Sequence, residues 1–177
     1  MNKEWSDLNK TMQAQIRKND TYKMGIDTLF SLRSQLMETL VSFKEELSRE
    51  AFNSIPFINA DGYHSKTIAY SIWHIFRIED IVVHTVINED EQVFFAGNYQ
   101  ERINSPIITT GNELIKQQIA DFSKQLNLKE LYSYIFEVRE NTEKMLERLS
   151  YDELKRKIPE ERKGYLESLN VVNDNEK

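Results

Sequence analysis

Apolar residues return every three to four positions along almost the whole chain. Trp5, Leu8, Met12 and Ile16 make a short stripe that predicts an N-terminal helix over 5–18. Asp20 or Thr21 is a candidate cap for the next helix. That helix, predicted over 22–49, carries Tyr22, Ile26, Leu29, Arg33, Leu36, Leu40, Phe43 and Leu47 at alternating spacings of four and three. This is the repeat of helices lying side by side at a shallow angle. The pattern breaks from Ile55-Pro56 to Gly62. A second long helix over 65–88 repeats it with Ile68, Ile72, Ile75, Glu79, Val82 and Val86, and a third over 128–149 with Leu128, Leu131, Ile135, Val138, Thr142, Met145 and Leu149. Between these two lies a long crossover. It holds a loop with Gly97, Pro106 and Gly111, then a short amphipathic helix over 112–126 with Ile115, Ile119, Phe122 and Leu126. Pro159 precedes a short tail helix with Leu166 and Leu169. The pattern predicts an all-α chain: an up-down helical bundle with a long crossover between its second and third long helices. No segment after Pro159 is long enough to be a fourth long helix, so the N-terminal helix or a second chain is expected to fill that place.

Composition narrows the class. The 177 residues suffice for one domain with a sizeable core, and five glycines and three prolines favour helices over a turn-rich β fold. A net charge of −6 offers no basic footprint for nucleic acid. There is no cysteine, which excludes disulfides, thiolate catalysis and cysteine-bound zinc. The N-terminus is polar and no apolar run nears the roughly 20 residues that span a bilayer. A cytoplasmic protein with no membrane partner is expected.

Candidate chemistry concentrates in Ser71–His84, "SIWHIFRIEDIVVH", which holds two of the three histidines, the second tryptophan and an Arg-x-x-Asp in an apolar run. At about 100° per residue the apolar arc of this helix is centred on Ile68, Ile75, Val82 and Val86. Glu79 falls inside the arc and His74 on its border beside Ser71. His84 falls on the polar side with Lys66, Arg77 and Asp80, the position of a surface residue. His64, His74 and His84 stand about 15 Å apart in succession along a helix axis, so no two can share a metal. No His-x-x-x-His pair exists. His74 taken alone is a hydrogen-bonded border residue, and Ser71 a small packing residue or its hydroxyl partner. Asn88 to Glu91 reads as a solvated helix end. Arg33 and Glu79 are the only charges in their stripes, each near mid-helix, which predicts that they pair across antiparallel neighbours. Trp73 and Phe76 are packing residues and, if surplus apolar surface on this helix meets a second chain, its contacts.

"GYHSKTIAYSIWHIFRIED" resembles the second helix of the DinB/YfiT-like family of metal-binding four-helix bundles. "YKMGIDTLFSLRSQLMETL" resembles the first helix of that family and "YIFEVRENTEKMLERLSYDEL" its third. The resemblance implies a single DinB-like domain over 1–177, truncated at the C-terminus relative to the family. It places His74 at the position of one ligand of a zinc or nickel ion. The family's other two ligands are histidines near the start of a last helix, and no histidine follows His84 here. The metal site is therefore expected to be incomplete, with no metal bound by this chain as given and Glu79 about 140° round the helix from His74. Two functions follow: a metal-dependent thiol transferase or hydrolase where the site is complete, or a non-catalytic helical protein acting through self-association. A homodimer is expected in either case.

Overall fold

A computed structural model describes residues 3–59 and 65–172, which are mostly helical, with no strand among them. Met1 and Asn2, the segment 60–64 with His64, and 173–177 lie outside the described residues. The helices are α1 (Lys3–Ile16), α2 (Tyr22–Glu46), α3 (Arg49–Asn53), α4 (Ile68–Val82), α5 (Val93–Ala96), α6 (Tyr99–Ile103), α7 (Gln117–Gln125), α8 (Leu128–Arg148) and α9 (Glu160–Ser168). None of the helices among the described residues is long and apolar enough to cross a membrane. The chain divides into two compact units, one of residues 1–47 with 146–157, the other of 48–145 with 158–177.

In the first unit α1 and α2 pack along each other through a five-residue connection containing a 3₁₀ turn at Asn19–Thr21. Gly25 is what lets them close. A Cβ there would lie 2.6 Å from Ile16 Cγ2 and 2.8 Å from the Ile16 backbone nitrogen. Thr21 Oγ1 donates to the Gln15 carbonyl at 2.8 Å, and Thr28 Oγ1 lies 3.1 Å from Gln15 Oε1. Residues 149–151 secure the turn. The Tyr22 hydroxyl donates to the Leu149 carbonyl at 2.8 Å, the Tyr151 hydroxyl donates to that of Arg17 at 3.0 Å, and the two rings meet edge to face.

In the second unit the helix starts are capped as their sequences allow. Ser48 accepts from the Ala51 amide for α3, Thr67 from the Tyr70 amide for α4, and Asn127 from the Lys129 amide for α8. Arg49 fastens α3 to the end of α7 by donating to the carbonyls of Ser123, Lys124 and Leu126, the last-turn acceptors a helix leaves unmade. The crossover turns on left-handed residues, Asn98 (φ 52), Asn104 (φ 59) and Gly111 (φ 83). Lys116 at φ 45 delays the start of α7, so Ile115, expected inside a helix, lies outside it and is exposed. The α8 stripe is interior as expected: Leu131, Ile135, Val138, Thr142 and Met145 are buried. Leu166 and Leu169 pack on Ile81 with Val86 and Val171 beside them, so the tail helix covers part of α4.

The buried face of α4 is not the one its isoleucines mark. Ala69, Tyr70, Ile72, Trp73, Phe76, Arg77, Asp80 and Ile81 are buried, while Ile75 is 45% exposed. The face is turned by roughly two fifths of a revolution from the arc centred on Ile68, Ile75 and Val82. Two charged residues can lie inside because the surrounding chain supplies all their partners.

Candidate functional site

Arg77, Asp80 and His84 follow one another at i, i+3 and i+7 and so share one face of α4 and its extension. Arg77 is buried completely. Its Nε donates to the Ile108 carbonyl at 2.9 Å, one Nη to Gln92 Oε1 at 2.7 Å and the other to Asp80 Oδ2 at 3.3 Å. The guanidinium lies over the Phe94 ring, 4.4 Å from its centroid. Asp80, also fully buried, accepts the Val93 amide at 2.9 Å, the Phe94 amide at 3.0 Å and the Tyr134 hydroxyl at 2.8 Å. It thereby seals the start of α5, whose opening N–H groups have no intrahelical acceptor. Burial pushes the Asp80 carboxyl above the usual carboxylate range; Arg77, the Tyr134 hydroxyl, the Phe94 amide and His84 pull it back. Burial, and after it the Asp80 charge, hold the Tyr134 hydroxyl well above an ordinary tyrosine. Every oxygen of Asp80 is engaged inside the protein, which makes it a structural hub with nothing left for a substrate.

Beyond Val82 the helix widens into a π-helical turn, Val83–Asn88, closed by Glu89 in the left-handed conformation. Such turns are uncommon and recur at functional sites. This one brings His84 inside, correcting the surface position that periodicity assigns it. His84 Nδ1 lies 2.5 Å from Asp90 Oδ1, and the Asp90 amide donates back to the His84 carbonyl at 3.0 Å. Nδ1–H is thus given to Asp90, which leaves Nε2 as the other ring nitrogen. It is buried without a hydrogen-bond partner, 3.8 Å from Asp80 Oδ1. Beside this turn a cavity of about 330 Å³ is lined by His84, Thr85, Glu89, Asp90, Glu91, Gln92, Phe95, Arg162 and Tyr165. Of the run at 88–91, which reads as a solvated helix end, Glu89, Asp90 and Glu91 thus line a pocket. Gln92 joins the pocket to the hub. Its Oε1 takes Arg77, while its Nε2 lies 3.2 Å from Thr85 Oγ1 and 3.4 Å from the Tyr165 hydroxyl.

His74 sits elsewhere, half-buried and stacked on Tyr70 with ring centroids 5.5 Å apart. Its Nδ1 is 2.9 Å from the Thr110 carbonyl, an acceptor that fixes the proton on Nδ1 and leaves Nε2 as the acceptor nitrogen. Ser71 is no partner for it; its hydroxyl donates to the Thr67 carbonyl one turn back. Glu79 Oε1 accepts the Thr142 hydroxyl at 2.6 Å. Arg33 is half-buried on α2 in the first unit. Trp73 and Phe76, expected as contacts with a second chain, are interior instead. Trp73 is fully buried with its ring near those of Phe94, Phe122 and Tyr134, and Phe76 is 1% exposed. Among the described residues no three His, Cys, Asp or Glu side chains gather as a metal site. His74 therefore has the tautomer of a ligand, but the described residues do not complete a ligand set round it. Sequence reasoning missed Asp80, Gln92, Tyr134 and Tyr165. The one visible signal was the Arg-x-x-Asp spacing of Arg77 and Asp80. No protein-family model matches the chain, and no curated protein matches it in sequence.

Proposed function

We propose that this is a DinB-like helical protein that works by binding a small molecule in the cavity beside the π-helical turn. The observation that carries this reading is the construction of the cavity wall. Gln92 is held from behind by Arg77 of the buried Arg77–Asp80 pair and His84 is held by Asp90, so the wall is fixed before any ligand arrives. Its volume, about 330 Å³, is at the small end of ligand pockets. Titrating the isotope-labelled chain with a library of small metabolites tests the reading. Amide shifts should cluster at Thr85, Asp90, Gln92, Phe95 and Tyr165; a full library that moves none of them overturns it.

The metal-dependent reading of DinB relatives, as thiol transferases or hydrolases, is favoured by one observation, the Nδ1–Thr110 bond that presents His74 Nε2. Elemental analysis of the purified chain decides it. Stoichiometric zinc or nickel that disappears in His74→Ala would favour that reading over simple binding. A cytoplasmic location and an Arg33–Glu79 pair belong to the same proposal; a double-mutant cycle with Arg33→Met and Glu79→Gln reads the pair.

A further inference from the structure

The lining of the cavity specifies the charge of its occupant. Glu89, Asp90 and Glu91 line it against a single guanidinium, that of Arg162. Arg162 is already engaged, 2.5 Å from Glu89 Oε2. The balance facing the cavity is therefore negative. Behind the wall the charges cancel, because Asp80 is paired with the buried Arg77, so the sign of the cavity is set by its own lining. Two aromatic rings, Phe95 and Tyr165, line the same cavity and are 36% and 42% exposed. Carboxylates and aromatic rings together are surroundings in which an organic cation is stabilised. With Glu89 paired to Arg162, an anion would still meet the carboxylates of Asp90 and Glu91, and a wholly apolar molecule would strip water from them without replacing it.

From this we infer that the cavity receives a small organic ammonium ion, its charged head at Asp90 and Glu91 and its short apolar stem on Phe95 and Tyr165. The volume equals roughly ten waters at their liquid spacing, which limits the ligand to about ten heavy atoms. The inference rests on the binding reading given above and specifies its ligand class.

A charge series of one shape tests it: n-butylammonium, n-butanol and n-butyrate, each titrated into the full chain and followed by amide shifts and calorimetry. Butylammonium should bind and move the amides of Thr85, Asp90, Phe95 and Tyr165, while butanol and butyrate should not. Asp90→Asn should weaken binding by about tenfold or more, the loss of one charge-assisted contact. Phe95→Leu should weaken it severalfold, and Glu101→Gln, on α6 outside the lining, should leave it unchanged. Asp90 is half-exposed, so its variant should fold, and circular dichroism checks that both do. Butyrate or butanol binding at these amides in place of butylammonium overturns the cation inference while the cavity reading stands. If none of the three moves them, and the metabolite library moves none either, both fall.

Discussion

Asp80 makes a severe demand on its surroundings, since a carboxylate out of water is stable only where hydrogen-bond donors replace the lost hydration. Two backbone amides, a tyrosine hydroxyl and a guanidinium do so. Asp80→Asn keeps the shape but removes the counter-charge of the buried Arg77, and should cost roughly 3–5 kcal/mol. Tyr134→Phe removes one donor and should cost less, about 1.5–3 kcal/mol. Urea denaturation of both measures the order, and equal or negligible losses would show that the carboxylate is not the hub. The sequence displays Arg77 and Asp80 three apart within an apolar run, so a pair was legible there. Their burial was not, because it depends on Gln92, the start of α5 and Tyr134, which are distant in sequence and have no periodic relation to α4.

At the scale of the elements, the long helices were legible because their apolar stripes extend over about five turns or more. The rotation of α4 was not. Ile68, Ile72 and Ile75 compete with Tyr70, Trp73 and Phe76 on a helix that is apolar over most of its circumference, so the pattern alone does not single out a face. The same limit hid the π-helical turn, whose extra residue per turn shows only in backbone bonding. Gly25 gives an element-scale test in the first unit. A glycine inside a helix ordinarily gains about 1 kcal/mol on replacement by alanine. Here the added methyl meets the backbone of α1, which cannot swing aside like a flexible side chain. Gly25→Ala should therefore lower the melting temperature; a rise would mean that the two helices can part without loss.

For the molecule as a whole, buried tyrosines set a ceiling in pH. Burial pushes Tyr70, Tyr99 and Tyr132 up to about 12 and holds Tyr134 well above an ordinary tyrosine. In the unfolded chain these hydroxyls ionise near pH 10. Above that pH the unfolded state releases protons that the folded state retains. The stability present below pH 10 therefore declines as pH rises towards 12. Urea midpoints should fall between about pH 9 and pH 11.5, and tyrosinate absorbance should rise together with unfolding. Tyrosinate forming fully while the fold persists would contradict this. Self-association is tested at the same scale. With Trp73 and Phe76 interior, a homodimer would have to use other surface, and sedimentation at high concentration decides whether one forms.

The chain has two indoles, and they fall one to each compact unit: Trp5, half-buried on α1, and Trp73, sealed inside the other unit with an Nε1 that has no hydrogen-bond partner. Each unit thus contains its own fluorophore. An indole in dry aromatic surroundings emits at shorter wavelength than one near water. The Trp5→Phe chain, lit by Trp73 alone, should emit to the blue of the unaltered chain and resist quenching by acrylamide. Unfolding of the two units could then be timed separately by colour, without attaching any dye.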